Sequence, residues 1–413
     1  MAKCRKRKKI IMKLETPFKD LTLEEVFEAY FECRKTKRYS SGAMQFETDY
    51  ENQLVKLYNE LKKNSWKPGK STCFTVTKPV RREIFAAPFR DRIVHHILIR
   101  RLNPFFERHF IFDSYACRKQ KGTHAAIKRL EHFTRSESKN GKEECYVLKL
   151  DIKGFFMNIN RNLLWKRLEN FIDNIEFEFS FDSLPQKKNV EFVKYLCRQI
   201  IFNDCTKDCM IRSPKSEWKK LPKDKSLFTA KKHCGLPIGN LTSQVFANFY
   251  LSELDHYIKH SLKIKNYVRY VDDFAIVHKD REFLKKIIPK IRTFLSEKLF
   301  LTLHPCKVYL QSAQKGVHLT GCFVRISHTV CNRRVKNNFV AVLKKYSAGA
   351  LKRKPAKAEI KQMRASLNSY LGIFQHYRTW HFRCAQLKRY MIPHLKKHFS
   401  VTVECKKVSV KAK

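Results

Sequence analysis

Two adjacent carboxylates and a third one far upstream could together bind divalent metal ions. Asp272 and Asp273 follow Tyr270 and Val271 between two apolar runs, and Asp151 ends a β-rich run much earlier in the chain. Nucleotidyl transfer needs two such ions, one on the attacking 3′ hydroxyl and one on the triphosphate. Mg²⁺ prefers carboxylate oxygens and keeps water and phosphate oxygens as its other ligands. Two or three aspartates at one sheet edge therefore suffice, provided that the fold brings them together.

Each carboxylate also has an ordinary structural interpretation. Aspartate favours turns, so Asp272 and Asp273 alone describe a hairpin turn as well as they describe a metal site. Asp151 alone is typical of a solvated strand end. The choice depends on the segments around these residues and on the order of those segments along the chain.

Apolar periodicity predicts a mixture of helices and strands around the carboxylates. Helices are predicted at about 20–63, 90–102 and 245–258, and strands at 73–80, 83–88 and 146–152. Residues 267–277 are predicted to form two short strands around a two-residue turn, Asp272–Asp273. No βαβ repeat accompanies them, which favours an α+β fold over a doubly wound sheet.

Changes in composition predict several segments. They are an N-terminal helical extension at 1–70, a core at 71–330 with a polar, lysine-rich insertion at about 168–232, a helical segment at 331–395, and a basic tail at 396–413. In the helical segment, Val335, Phe339 and Leu343 share one face.

The charge of the chain indicates a polyanionic partner. Lysine and arginine number 86 against 38 aspartates and glutamates, and the net charge of +48 is spread along the chain. Such a protein repels itself unless a polyanion, above all nucleic acid, neutralises part of the charge. Charge alone also fits a ribosomal or nucleoid protein.

No membrane partner is expected. Anionic lipid is the rival polyanion, but the sequence has no apolar run of about 18 residues and no signal peptide. The 14 cysteines lack a C-x-x-C pair, which favours reduced thiols in a cytoplasmic protein over a zinc site.

Four segments occur in the order that is found in reverse transcriptases. They are Leu150–Phe156, Gly235–Gln244, Tyr270–Asp273, and a later segment with Lys307 and Gly316–Cys322. Over about residues 70–330 the chain therefore resembles the reverse transcriptases, with a thumb-like remainder. The resemblance implies a right-hand polymerase fold with fingers, a palm built on an antiparallel sheet, and a helical thumb. It also implies an RNA-directed DNA polymerase that acts on a template RNA, a cDNA primer and deoxynucleoside triphosphates.

The resemblance assigns roles to individual residues. Asp151, Asp272 and Asp273 are the implied catalytic residues. Together with Ile152 they are the implied ligands of two Mg²⁺ ions, for which Mn²⁺ is an alternative. The implied nucleotide-binding residues are Arg82, Phe156, Ile238, Gly239, Gln244 and Lys307, and the implied contacts to template or primer are Arg118 and Gly321.

Two of these roles have a physical rationale and a plain alternative. Phe156 matches the position where the family places an aromatic side chain against the sugar; a 2′ hydroxyl would collide with it, so deoxynucleotides are expected. The alternative is that Phe156 or its neighbour Phe155 belongs to the core.

Arg82 matches the fingers segment that binds the triphosphate, where a guanidinium donates several hydrogen bonds in one plane. The alternative is a solvated arginine. Arg118 is expected to order the fingers or contact template.

The second of the four segments, Gly235–Gln244, narrows the family resemblance to one subfamily. Ile238 stands where most reverse transcriptases have glutamine, and Gln244 stands where most have proline. This form, and the run Phe89–His96, resemble the enzymes of diversity-generating retroelements. Those enzymes copy a template RNA with frequent errors opposite adenine, and the cDNA replaces part of a target gene (mutagenic retrohoming). The implied protein is cytoplasmic, bacterial or phage-encoded, and acts with a small basic accessory variability protein.

Two alternatives remain open from the sequence. A group II intron-like, retron or phage-defence reverse transcriptase would share the four segments, although no clear maturase or endonuclease segment is recognised after residue 395. A non-catalytic RNA-binding protein on a polymerase scaffold would share the charge, but the presence of all three carboxylates favours an enzyme.

Overall fold

The computed structural model describes residues 18–35, 37–77, 80–178, 184–352, 355–391 and 395–411. The chain forms two compact units, each made of three separate segments. Unit 1 contains Met1–Phe112, Ile152–Leu262 and Pro289–His304, and unit 2 contains Asp113–Asp151, Lys263–Ile288 and Pro305–Lys413.

Helices and short strands are mixed throughout the described residues. In chain order the α-helices are α1 (Leu23–Lys35), α2 (Ser41–Glu47), α3 (Tyr50–Lys62), α4 (Phe89–His109), α5 (Thr123–Glu137), α6 (Phe155–Asn158), α7 (Arg161–Glu178), α8 (Leu184–Phe202), α9 (Lys215–Lys219), α10 (Leu241–His256), α11 (Arg281–Leu299), α12 (Arg333–Lys352), α13 (Lys357–Phe374) and α14 (Trp380–Tyr390). None of the described helices is both long and apolar enough to cross a membrane.

The strands of the described residues belong to four small sheets. They are β1 (Ser71–Val76), β2 (Arg82–Ala86), β3 (Tyr146–Leu150), β4 (Cys209–Ile211), β5 (Tyr267–Tyr270), β6 (Asp273–His278), β7 (Tyr309–Ser312), β8 (Val317–Leu319), β9 (Cys322–Val324), β10 (Thr329–Cys331), β11 (Phe399–Val401) and β12 (Val408–Val410).

In unit 1 the predicted helical region at 20–63 is three helices rather than one. The hydroxyl of Ser40 accepts a hydrogen bond from the Ala43 amide and caps the start of α2. The helix α1 packs on α4, where Tyr30 meets Phe89 edge to face.

The helix α4 continues beyond the predicted end at residue 102. Proline usually ends a helix because it lacks the amide donor, and Pro104 lies inside α4. The helix still continues to His109, because Phe105 and Phe106 are buried in the core and hold its last turns.

The predicted insertion contributes to the sheet of unit 1. The strands β1 and β2 form an antiparallel pair in which Cys73 lies opposite Phe85, and β4 joins β1 as a parallel neighbour. The order β2-β1-β4 shows that residues 209–211 complete this sheet. A helix with buried residues on every side, α10, lies in the core of the same unit.

Unit 2 is built on an antiparallel four-stranded sheet with the order β5-β6-β3-β7. The helix α5 covers it, with Ile127, Leu130 and Phe133 packed in one cluster with Val147 and Val277. The predicted hairpin is present, but its turn is Val271–Asp272 instead of Asp272–Asp273. Asp273 is the first residue of β6 and pairs with Tyr270.

The C-terminal part of unit 2 is a second core. The helices α12, α13 and α14 surround Phe339, Leu343, Leu367 and Phe374. Within the segment predicted as a basic tail, 396–413, the strands β11 and β12 form an antiparallel hairpin. Phe399 and Val408 bury their side chains in the same core, and the last two residues lie outside the described ranges.

Candidate active site

Two neighbouring strands of unit 2 bring distant carboxylates together. In the antiparallel pair of β3 and β6, Leu150 lies opposite Phe274. One further step of this register places Asp151 opposite Asp273, and directly opposite residues have Cα atoms about 4.5–5.5 Å apart. Strand pairing thus joins two aspartates that are far apart in sequence.

A buried arginine supports the turn that carries Asp272. Arg269 is completely buried; its guanidinium donates to the Val271 carbonyl oxygen at 3.0 Å and to the Ser114 hydroxyl at 3.1 Å. Its backbone carbonyl accepts from the Tyr115 amide at 3.0 Å. The hairpin is therefore fixed both by strand pairing and by the 113–115 segment.

Two lysines contact the carboxylates. The Lys307 ammonium donates to Asp151 Oδ2 at 2.7 Å. The Lys149 ammonium lies 3.2 Å from Asp273 Oδ1. Both aspartate side chains are largely covered, with 13% and 29% exposed, so these charge pairs are only partly screened by water.

The pKa values show how closely the charges interact. Burial raises the pKa of Asp273; Lys149 lowers it, and the negative charge of Asp151 raises it further. Burial alone would lower the pKa of Lys307. Its hydrogen bond to Asp151 and the charges of Asp151, Asp272 and Asp273 together raise that pKa above its usual value. All three carboxylates therefore act on one ammonium group.

The donor atoms of this site fit a hard divalent cation, although the present contacts are to lysines. Carboxylate oxygens are the ligands that Mg²⁺ prefers. Within the described residues, no three His, Cys, Asp or Glu side chains form a group with the geometry of a metal site. An ion bound between Asp151 and Asp273 would replace part of the positive charge that Lys307 and Lys149 now supply.

The segment Gly235–Gln244 lies in unit 1, against the strand β2. The Ile238 carbonyl oxygen accepts from the Phe85 amide at 2.8 Å, and the Leu236 amide donates to the Phe156 carbonyl oxygen at 2.9 Å. Gly239 has a φ of +125°, and a Cβ atom there would lie 2.8 Å from the Ile84 side chain. Only glycine permits this close approach.

Phe156 and Ile238 share one apolar cluster. Phe155 is the buried member of the phenylalanine pair, whereas Phe156 is half-buried. Phe156 and Ile238 pack against a buried cluster composed of Cys73, Phe85, Met157, Cys205 and Leu227. Two of those residues, Cys205 and Leu227, come from the predicted insertion, which therefore supports both predicted nucleotide-binding residues.

A buried carboxylate that the sequence interpretation missed fastens the insertion to β2. Glu83 is 1% exposed. It accepts hydrogen bonds from Trp218 Nε1 at 2.7 Å, from the Ser226 hydroxyl at 2.7 Å and from the Leu227 amide at 2.6 Å. The signal in the sequence was a glutamate on the same strand face as Phe85, where an apolar residue is usual.

The remaining predicted residues lie at varied positions. Arg82 is exposed at the start of β2, and Gln244 is exposed in the first turn of α10. The neighbour of Arg82, Arg81, forms an ion pair with Glu217. Ile152 has a buried side chain and makes a β-bridge with Leu303.

In unit 2 the predicted template and primer residues occupy two loops. Arg118 donates to the Ser114 carbonyl oxygen at 2.9 Å, which orders its own loop. Gly321 follows Thr320 in the tight turn between β8 and β9, and both have positive φ angles. Its Cβ position is open, so the backbone of this turn is accessible.

A comparison with protein families identifies the scaffold that carries these residues. Residues 62–324, more than half of the chain, match the family described as reverse transcriptase (RNA-dependent DNA polymerase). The chain belongs to this reverse transcriptase family. The matched range agrees with the predicted 70–330 and contains all the predicted site residues. The α+β fold with antiparallel sheets is that of reverse transcriptases, as predicted.

Several solved structures are similar to this reverse transcriptase family member. Apo telomerase from Candida tropicalis, truncated from its C-terminal domain, has 14% identity and a TM-score of 0.43 over 64% of this chain and 55% of that chain. Telomerase from Candida albicans with a fragment of telomeric RNA has 13% identity and a TM-score of 0.44 over 83% and 60%. The present chain thus spans little more than half the length of these proteins. No curated protein gives a significant sequence match.

Proposed function

We propose that the protein is an RNA-directed DNA polymerase that extends a cDNA primer with deoxynucleoside triphosphates along a template RNA. The observation that carries the proposal is that paired strands place Asp151 beside Asp273, with Asp272 in the adjoining turn, so that all three carboxylates act on Lys307. In a member of the reverse transcriptase family, this arrangement of oxygen donors suits nucleotidyl transfer.

The three aspartates, with Ile152, would hold two Mg²⁺ ions, and Mn²⁺ is the alternative. When bound, such ions neutralise the triphosphate and favour ionisation of the 3′ hydroxyl. The rigid strand pairing of β3 and β6 fixes the spacing of the carboxylates before substrate binds, which reduces the reorganisation needed for the reaction. Released from Asp151, Lys307 would contact the phosphates of the nucleotide.

Residues of unit 1 would select the nucleotide. Phe156 would exclude a 2′ hydroxyl, because its ring packs against the cluster around Phe85 and cannot move away from the sugar. Ile238, Gly239 and Gln244 would line the nucleotide site. Arg82, exposed at the start of β2, would contact the triphosphate.

We also propose which parts of the chain form the subdomains of the polymerase. Residues 71–330 would be fingers and palm with an insertion at 168–232, residues 331–395 the thumb, and residues 1–70 an N-terminal helical extension. Arg118 would order the fingers or contact the template, and Gly321 would contact the primer through its exposed turn.

The test is primer extension with Mg²⁺ on matched RNA and DNA templates. The wild type is expected to extend on RNA with deoxynucleotides, and to reject ribonucleotides. Phe156→Ala is expected to raise ribonucleotide use by about tenfold or more, since a steric clash is removed. Failure of the wild type to extend on RNA, with template RNA and accessory protein supplied, would favour a non-catalytic RNA-binding protein.

The finer proposal is that the enzyme serves a bacterial or phage diversity-generating retroelement and makes adenine-directed errors for mutagenic retrohoming. The support is Ile238, whose apolar side chain cannot hydrogen-bond to a nascent base pair, so discrimination between correct and incorrect pairs would shrink. A small basic accessory variability protein is the expected partner. A group II intron-like, retron or phage-defence enzyme is the alternative.

Sequencing of the cDNA tests this assignment. Errors are expected mainly opposite template adenines, and Ile238→Gln is expected to lower their frequency. The fold should tolerate that change, because the Ile238 backbone rather than its side chain bonds to Phe85. An adenine error rate that is the same in an active Ile238→Gln enzyme would contradict the role of Ile238.

A further inference from the structure

One stretch of the insertion presents an unusual density of unpaired positive charge. Residues 212–232 contain eight exposed cations, defined here as the basic face. They are Arg212, Lys215, Lys219, Lys220, Lys223, Lys225, Lys231 and Lys232. The same stretch contains two acids, and one of them, Glu217, is paired with Arg81 outside it. Within the described ranges, none of the eight cations forms an ion pair.

Many other cations of unit 1 form ion pairs, unlike those of the basic face. They are held by carboxylates of the same unit in pairs such as Arg34 with Glu47, Arg101 with Glu25, Lys70 with Asp208, and Lys194 with Asp173. The basic face therefore does not serve the internal stability of the unit, since its charges repel one another without compensation.

The basic face lies on a rigid support rather than on a loose loop. Glu83 binds Trp218, Ser226 and Leu227 through three hydrogen bonds. Leu221 and Leu227 are buried, so the segment is anchored by its apolar side chains and its cations point to solvent. Ordering these cations in advance lowers the entropic cost of binding a polyanion.

Exposed apolar side chains lie among these charges. Phe228 is 42% exposed, and its ring packs against the Phe85 ring, with the two ring centroids 5.4 Å apart. Met210 and Ile211, on the edge strand β4, are 50% and 51% exposed. An aromatic ring between lysines is the arrangement that single-stranded nucleic acids favour, because bases stack while phosphates meet the cations.

We propose that the basic face binds single-stranded RNA, with phosphates on its lysines and a base stacked on Phe228. The proposal rests on the proposed function only for the identity of this strand as the template RNA. A strand held here would be anchored through unit 1 independently of the carboxylates of unit 2, so binding and catalysis are separable by mutation.

Binding of a labelled single-stranded RNA to the full chain tests the proposal at several salt concentrations. The test variant replaces Lys223, Lys225, Lys231 and Lys232 by Gln. The matched control replaces four exposed lysines of unit 1, Lys56, Lys166 and Lys298 on helices and Lys63 at a helix C-cap, by Gln. Each released counterion contributes about 0.7 to the salt slope for a single strand. The slope is therefore expected to fall by about 2 to 3 in the test variant and to change little in the control.

Phe228→Leu provides a second, uncharged variant. Leucine keeps the apolar contact with Phe85 but cannot stack on a base, so affinity for single-stranded RNA should fall about tenfold with an unchanged melting temperature. Duplex RNA and anionic lipid vesicles serve as competitors. Equal losses in test and control variants, or better competition by duplex RNA or by vesicles, would overturn the proposal.

The two proposals fail in different ways. If the wild type extends no primer but the lysine variant loses RNA affinity, the basic face stands and the polymerase proposal falls. If extension is normal and the lysine variant binds RNA with the salt slope of wild type, the polymerase proposal stands and the proposal for the basic face falls.

Discussion

Val271 adopts a backbone conformation that a β-branched residue rarely takes. Its φ is +58°, in the left-handed region, where the branched side chain crowds the backbone. The carbonyl oxygen of this strained residue is held by buried Arg269, and strain of this kind is typical of functional turns. The contact with Arg269 fixes the turn that presents Asp272.

Replacement of this residue tests the strain directly. Val271→Gly is expected to raise the free energy of unfolding by about 1 kcal/mol, because relief of the strain exceeds the entropy that glycine adds to the unfolded chain. Urea denaturation measures the change, and Val271→Ile, which keeps the branched side chain, should show no gain. A clear loss of stability in the glycine variant would contradict the assignment of strain.

At the residue scale the sequence predicts identities better than contacts. Residue types and their order predicted Asp151, Asp272 and Asp273 as site residues, because metal chemistry restricts the residues that can serve. The turn was placed one residue late, because valine gives no sign that it will accept a positive φ. Lys149 was missed: the strand alternation does not tell which neighbour its ammonium will meet.

Among the secondary-structure elements, Glu83 joins the strand β2 to the insertion. Its three hydrogen bonds hold the segment on which Phe156 and Ile238 rest. Glu83 is thus a positioning residue for the proposed nucleotide site, since it acts through the side chains packed behind that site.

Glu83→Gln tests that function. The amide group turns one acceptor into a donor and removes the charge, so we expect a loss of about 3 kcal/mol in the free energy of unfolding. The KM for deoxynucleotides should rise more than kcat falls. Glu297→Gln, at an exposed position, is the control. An unchanged KM in a folded Glu83→Gln protein would exclude a positioning role.

Some strands of the fold could be predicted from the sequence and others could not. The strands β1, β2 and β3 lie close to their predicted positions, because alternating apolar residues report a half-buried sheet. The strand β4 within the predicted insertion and the β11–β12 hairpin were missed, since short strands in basic segments depend on partners far away in sequence. Asn368, for example, bonds the Val408 backbone in both directions.

On the scale of the whole molecule, buried histidines make stability depend on pH. Burial, with the charges of Arg92 and His96, lowers the pKa of His95 to about 3. The unfolded chain binds a proton near pH 6.5 whereas the folded chain does not. His95 therefore contributes stability above pH 6.5 that is lost as the pH falls toward 3.

The pH dependence of the unfolding free energy tests whether His95 lowers stability as the pH falls. Between pH 6.5 and 5 the His95 contribution should fall by about 2 kcal/mol. His95→Leu should lower the pH sensitivity of the unfolding free energy by that amount, whereas His132→Gln, at an exposed position, should retain it. Equal pH profiles for the His95 variant and wild type would contradict the assignment.

The division into two units could not be read from the sequence. Each unit uses three separate chain segments, and their assembly depends on pairing such as that of β3 with β6 rather than on local pattern. The net charge, in contrast, was evident from composition, and the basic face shows where part of it is exposed.

We propose above that Asp151, Asp272 and Asp273 form one metal-dependent site for DNA synthesis. The most direct measurement is the rate of single-nucleotide incorporation on an RNA template with Mg²⁺. Asp151→Asn, Asp272→Asn and Asp273→Asn are each expected to lower it by about a thousandfold or more, since a lost ion ligand costs several kcal/mol of transition-state stabilisation.

Asp280→Asn is the matched control. Asp280 lies beyond the opposite end of β6 and caps α11 by accepting from the Glu282 and Phe283 amides, a role that asparagine can take over. We expect wild-type incorporation for this variant and unchanged melting temperatures for all four. Near wild-type incorporation by any one of the three site variants would contradict the proposal.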